Sequence, residues 1–373
     1  MKLSQRCTPL LAVLRNPAHL TTLDLKDWDL LLRQAGAAGL LSRIAVQIAA
    51  LGPDVQVPDV VQPHLTAART LATKQRQAVR WEARRVARAL ANLEGPVLLL
   101  KGAAYAIADL PPAAGRLFND IDILVPRDQL GQTEGALMLA GWHTQKQDDY
   151  DQRYYRRWMH ELPPMTHIRR GTVLDVHHNL LPETARIRTH AAPILEAAQA
   201  LSDPAGLCIP THTDLVLHSA CHLFHEGEWG HGLRDLVDLD AMLRAFSAET
   251  GFWPNLLARA RILNLGRPLY YALDTCQRWL LTPIPDQVIA ECPSLPPTWQ
   301  RPLMRMLFDA GLASAHRSCQ GHLAHLAKFV LYVRGHYLRM PWRLLIPHLL
   351  HQAKRSEKER DNEKDKEKDK GKG

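Results

Sequence analysis

Apolar residues recur at helical spacing over residues 23–51 and stop at Gly52-Pro53, so this stretch reads as one or two short packed helices. After a proline-containing connection, residues 60–93 are rich in Ala, Arg, Gln and Glu, all strong helix formers, and predict one long helix that Gly95-Pro96 breaks. The period then changes. Val97-Leu98-Leu99-Leu100 is a short apolar run between breakers, the pattern of a buried strand. Residues 102–110 read as a helix, 111–115 as a loop, 120–125 as a second strand, and 128–140 as a helix with Gly141 where a C-cap residue belongs. Two further strands are expected at 164–169 and 173–180, joined by Arg170-Gly171 as a hairpin turn. This order predicts an α+β fold, a small mixed sheet with helices packed against it.

Residues 191–351 are almost wholly helical in pattern, punctuated by Pro204, Pro210, Pro254, Pro283, Pro285, Pro293 and Pro341. The tail from 354 to 373 alternates Lys with Glu or Asp and holds no apolar residue, so nothing in it offsets the cost of ordering, and disorder is expected. The 373 residues exceed one typical domain. The expected division is an N-terminal helical region (1–94), a mixed α/β unit (95–190), a larger C-terminal helical domain (191–352) and a charged tail (353–373).

The formal charge of +8 suggests an anionic partner, whether nucleotide, nucleic acid or phospholipid surface. The six cysteines lie far apart with no pair at metal-ligand spacing and no secretory signal ahead of them, so a reducing cytoplasm is the expected setting. No run of about 18 uncharged apolar residues exists, and no transmembrane segment is expected. The nearest candidate, 323–350, is interrupted by Lys328, Arg334, Arg339 and Arg343. It reads as a helix packed on its own domain with snorkelling basic ends, with peripheral lipid contact as the alternative.

The chemistry concentrates in Asp120-Ile121-Asp122. Strand side chains alternate faces, so both carboxylates emerge on one side, about 7 Å apart, while Ile121 and Ile123 point to the core. Such a pair repels itself unless a cation or a wet cleft compensates. Magnesium does so while binding phosphate oxygens, with manganese as the alternative ion. A third carboxylate completes a two-metal site for in-line phosphoryl displacement, and Asp175, flanked by Leu174 and Val176 on an expected strand, is the candidate. His177 shares its face. Lys101 and Arg116 are the nearest positive groups to stabilise a departing pyrophosphate. A D-x-D pair is also common on exposed strand ends without function; the whole order, from Lys101-Gly102 to Asp175, is what points to a site.

That order resembles the nucleotidyltransferase superfamily of DNA polymerase beta, and most closely its bacterial "nucleotidyltransferase family protein" group; it also looks like the abortive-infection toxins. The residues that carry the resemblance are Leu100-Lys101-Gly102, Arg116, Asp120-Ile121-Asp122-Ile123-Leu124-Val125 and Asp175-Val176-His177. The resemblance implies a 95–190 catalytic domain with Asp120, Asp122 and Asp175 as catalytic metal ligands. It implies that Lys101, Gly102, Ala103, Arg116 and His177 contact substrate. Where the superfamily has Gly-Ser or Gly-Gly, this chain has Gly102-Ala103, leaving backbone amides at a helix N-terminus to grip phosphate.

Two other motifs bear on function. Asp214, His218, His222 and His225 form a stripe at helical spacing, with Glu226 and Glu228 close by, so a His-site metallohydrolase is a rival reading; as cleft-lining residues His222 and His225 would instead shape an acceptor pocket. The stretch Leu233-Arg234-Asp235-Leu236 follows that helix, as in the resembled group. The segment Arg153-Tyr154-Tyr155-Arg156-Arg157-Trp158 combines aromatics and guanidinium groups able to stack on a base; an amphipathic strand or loop beside the sheet is the plainer reading. The expected function is magnesium-dependent transfer of a nucleoside monophosphate, or a related phosphoryl-linked group, from a nucleoside triphosphate or other activated nucleotide to an acceptor hydroxyl. The acceptor, whether small molecule, peptide, protein or RNA, is left open. A non-catalytic nucleotide-binding or scaffold protein is the third reading.

Overall fold

The computed structural model describes residues 8–52, 55–144, 155–156, 158–227, 229–321, 323–341 and 343. The tail, Cys7, Glu228 and, from the aromatic-basic segment, Arg153, Tyr154 and Arg157 lie outside them. Of that segment's remainder, Arg156 pairs with Glu134 at 2.7 Å beside the sheet domain.

Helices α1 (Leu10–Arg15), α2 (Leu25–Ala37), α3 (Leu41–Leu51) and α4 (Gln62–Ala89) form the N-terminal region. The Asp24 side chain caps α2 by accepting from the Asp27 amide, and α2 turns Trp28, Leu31 and Ala35 inward. These helices reach the C-terminal domain: Arg15 Nε donates to the Trp279 carbonyl at 2.6 Å, and the Gln34 carbonyl accepts from Ser314 Oγ at 3.0 Å.

The sheet is built from β1 (Leu98–Leu99), β2 (Asp120–Leu124), β3 (Trp142–Thr144), β4 (Met165–His167), β5 (Val173–His177), β6 (Gln199–Ala200) and β7 (Cys208–Ile209) in the order β3-β4-β5-β2-β1-β7-β6. Strand β2 lies antiparallel to β1 and parallel to β5. Helices α5 (Lys101–Ile107) and α6 (Leu130–Leu139) fill the connections. One face of β2 and β5 is apolar, with Ile121, Ile123, Leu174 and Val176 almost fully buried. The hairpin turn at Arg170-Gly171 forms as expected, with the Gly171 amide donating to the His167 carbonyl at 2.9 Å.

The fold departs from expectation beyond residue 190. Instead of continuous helix, residues 199–200 and 208–209 form β6 and β7, and β7 pairs parallel with β1, so the sheet extends past the expected boundary. Two-residue strands carry no alternation, which is why the pattern hid them; β3, of three residues, is also too short to show a period. The helical remainder includes α7 (Ala192–Glu196), α8 (His212–Cys221), α9 (Gly232–Phe246), α10 (Phe252–Ile262), α11 (Gly266–Leu280), α12 (Asp286–Ala290), α13 (Gln300–Leu312) and α14 (Ala324–Arg339). Helix α8 passes into a π turn at His222–Glu226, ended by Gly227 in the left-handed region. Helix α14 crosses so close to this turn that a Cβ on Gly335 would sit 2.5 Å from the Glu226 carbonyl oxygen. Among the described residues no helix is long and apolar enough to cross a membrane.

Candidate active site

The polar face of β2 and β5 opens into a cavity of about 290 Å³ whose opposite wall comes from α8, the π turn and α9. Strand alternation puts Asp120 and Asp122 on this face, as expected, and the parallel register sets Asp122 directly beside Asp175. All three carboxylates, with Lys101, Gly102 and His177, line the cavity. Asp120 lies at the exposed strand end and Asp122 is buried. The α5–α8 contact is fixed by a 2.6 Å hydrogen bond between the Tyr105 and Ser219 hydroxyls.

The charges on this face do not balance. Lost hydration pushes the Asp175 carboxyl up to about 7, with Asp122 and Glu161 adding repulsion. Asp120 is raised by lost hydration and by Asp122. Asp122 goes the other way: burial would raise it, but Lys101, with Nζ 3.8 Å away, and a 3.1 Å hydrogen bond from His177 Nε2 hold it well below the carboxylate range. Burial alone would lower His177, yet Asp122 and Glu161 raise it. Asp175 Oδ1 is buried and has no hydrogen-bond partner among the described residues.

Over residues 24–281 the chain matches the family described as "uncharacterised nucleotidyltransferase". The chain belongs to this family. A role in nucleotidyl transfer, with a nucleotide as substrate, follows from that membership. No curated protein matches the chain.

In this nucleotidyltransferase, two of the expected substrate contacts sit differently. Arg116 borders the cavity, but its Nε is 2.7 Å from Asp238 and its Nη2 is 3.8 Å from Asp235. Its charge is matched by two aspartates on α9 while it stays on the cavity wall. Its guanidinium also lies over Gly102, where a Cβ would meet Nη1 at 2.5 Å and the Phe118 ring at 3.0 Å, so a side chain at residue 102 would force Arg116 to shift. Ala103 is buried behind Gly102 and its side chain is not on the cavity wall. Lys101 takes a left-handed backbone, φ 41°, at the strand-to-helix corner, a conformation that strains a non-glycine residue.

Several wall residues had no site role in the sequence reading. Arg234 lines the cavity, bonds Asp235 at 3.0 Å and holds the Asp120 carboxyl down against the effects that raise it. His160 and Glu161 are brought in by a short segment that bridges the end of β5. No period marks that segment; its only signal was a His-Glu pair ahead of Pro163-Pro164. The histidine stripe is split. His222 Nδ1 bonds Glu226 at 2.8 Å on the cavity wall, whereas His225 is buried away from it with neither ring nitrogen partnered among the described residues. Among the described residues, the His, Cys, Asp and Glu donors that converge as a group of three are His160, Glu161 and His177, not His218, His222 and His225.

Proposed function

We propose that this nucleotidyltransferase moves a nucleoside monophosphate from a nucleoside triphosphate to an acceptor hydroxyl, using divalent magnesium held by Asp120, Asp122 and Asp175. Manganese would serve the same oxygen donors. The observation that carries the reading is the in-register pair Asp122 and Asp175 on adjacent parallel strands, with Asp120 on the same face. The orphaned Asp175 oxygen and the surplus of negative charge fit a hard cation bound through oxygen.

Magnesium, when bound, links carboxylates to phosphate oxygens and neutralises charge that develops during in-line displacement. The chain's own groups do the rest. Asp120 and Asp122 would hold, at the strand edge, the ion that carries the donor's phosphates. Before an ion binds, burial and neighbouring carboxylates push Asp175 up to about 7; beside an ion it would be ionised and placed to help take the acceptor hydroxyl's proton. Lys101 and His177 keep Asp122 ionised and oriented. Lys101, Gly102 and Arg234 border the phosphate side, and α8 and α9 wall the acceptor side.

The test is label transfer from nucleoside triphosphates carrying a radioactive α-phosphate, with mass spectrometry to find the modified product. Loss of transfer in Asp120→Asn with an unchanged melting profile, and in Asp122→Asn that still unfolds cooperatively, supports the reading. Undiminished transfer in either variant overturns it.

A further inference from the structure

We propose that His160, Glu161 and His177 bind a borderline divalent transition cation of the zinc type, at a site separate from the Asp120, Asp122 and Asp175 group. One donor atom from each residue lies within 4.8 Å of the others. His177 Nδ1 and Glu161 Oε2 are 3.3 Å apart. Two ligands each about 2.0 Å from one tetrahedral ion stand roughly 3.3 Å apart, so this pair is already at ligand–ligand spacing.

Tautomer chemistry sharpens the point. His177 Nε2 faces Asp122 Oδ1 at 3.1 Å, so the ring's proton belongs there. A neutral His177 then turns a lone pair toward the Glu161 carboxylate. Two acceptors at 3.3 Å need a positive charge between them, either a second proton or a metal ion. His160 favours the metal. It is 5% exposed, its ring centre is 5.4 Å from that of His177, and its Nδ1 has no hydrogen-bond partner among the described residues. A proton shared by His177 and Glu161 leaves that nitrogen orphaned, whereas a third metal bond satisfies it.

The backbone pre-arranges the donors. Glu161 bridges antiparallel to His177, the Leu162 amide donates to the Val176 carbonyl at 2.8 Å, and the His178 amide donates to the His160 carbonyl at 2.8 Å. Asp122 behind His177 supplies the outer carboxylate that commonly orients a metal-binding imidazole. Two imidazoles and one carboxylate suit zinc and its neighbours, while the all-oxygen set of Asp120, Asp122 and Asp175 suits magnesium. All three donor residues line the cavity, so an ion held by them would be open to water or a substrate oxygen.

The full chain, stripped with chelator, is titrated with cobalt(II) and zinc, and X-ray absorption is recorded on the zinc-loaded protein. The expected result is one equivalent bound, an absorbing low-symmetry cobalt centre and two imidazole nitrogens in the zinc shell. Affinity should fall at least about tenfold in His160→Ala and in Glu161→Gln and hold in Asp120→Asn. Melting profiles check that each variant folds, and the absorption spectrum of the unmutated protein decides without any variant. An oxygen-only shell, no stoichiometric binding, or equal affinity in a folded His160→Ala overturns the proposal. Zinc that leaves with Asp120→Asn also overturns it, by placing the ion in the carboxylate group. Label transfer is scored separately, so either reading can fail alone.

Discussion

Two charged clusters share the cavity, and they differ in how their charges are matched. On the α9 side, Asp238 accepts from Arg43 at 2.6 Å and from Arg116 at 2.7 Å, while Asp235 accepts from Arg234 at 3.0 Å. Every carboxylate there has an arginine. On the sheet side, Asp120, Asp122, Asp175 and Glu161 face Lys101 and His177, and Asp175 keeps a buried oxygen with no partner among the described residues. A matched buried cluster locks elements together, because removing one member strands the others. An unmatched one stores repulsion that an incoming cation relieves. The same residue type is thus charge-matched on one wall and left unmatched on the other.

That contrast can be broken by substitution. The largest effect is expected from Asp122→Asn and Asp120→Asn, which should lower label transfer by about 10³-fold or more; thermal stability should be unchanged or raised in Asp120→Asn and lowered in Asp122→Asn, which gives up the contacts with Lys101 and His177. Conversely, Asp238→Ala should cost about 3–5 kcal/mol in urea unfolding, because Arg43 and Arg116 lose a buried counter-charge. Activity would follow only through the fold.

The sequence made the D-x-D face, the apolar reverse face of β2 and the surrounding element order readable, since alternation is local. It did not reveal that β2 and β5 are neighbours, because pairing between strands some fifty residues apart leaves no local trace. The register of Asp122 beside Asp175 therefore had to come from the fold. The partners of Arg116 were hidden for a similar reason: nearness to the D-x-D strand is local, whereas Asp235 and Asp238 lie on α9, far along the chain. His160 and Glu161 sit in a segment without period, and only the bridge to His177 gives them a place.

A third prediction sharpens the comparison through pH. Asp175 keeps its proton in the folded chain up to about 7, whereas the unfolded chain releases it near 3.8. Between those values the folded state binds more protons, so this group's contribution to stability falls as pH rises through the window. Melting temperature measured from roughly pH 4 to pH 8 should show a component of that sign, absent in Asp175→Asn and countered by added magnesium. The smallest effect is expected from Gly102→Ala. It crowds Arg116 and Phe118 and should cost about 1–3 kcal/mol, read as a lower melting temperature. A neutral result would mean that Arg116 can leave α9 at little cost, and would weaken the view of that cluster as a lock.

Strand β1 has a neighbour on each side, β2 from within the expected catalytic unit and β7 from beyond it. A fragment cut at residue 190 would leave that flank as a bare edge, with its backbone groups ready to pair with another chain. The sheet is thus completed by the stretch that leads into the helices, so the candidate site is not a portable cassette. Grafts, truncations and two-piece expression should keep residues 95–209 together, and a library that shuffles catalytic units among helical partners would have to cross over after β7.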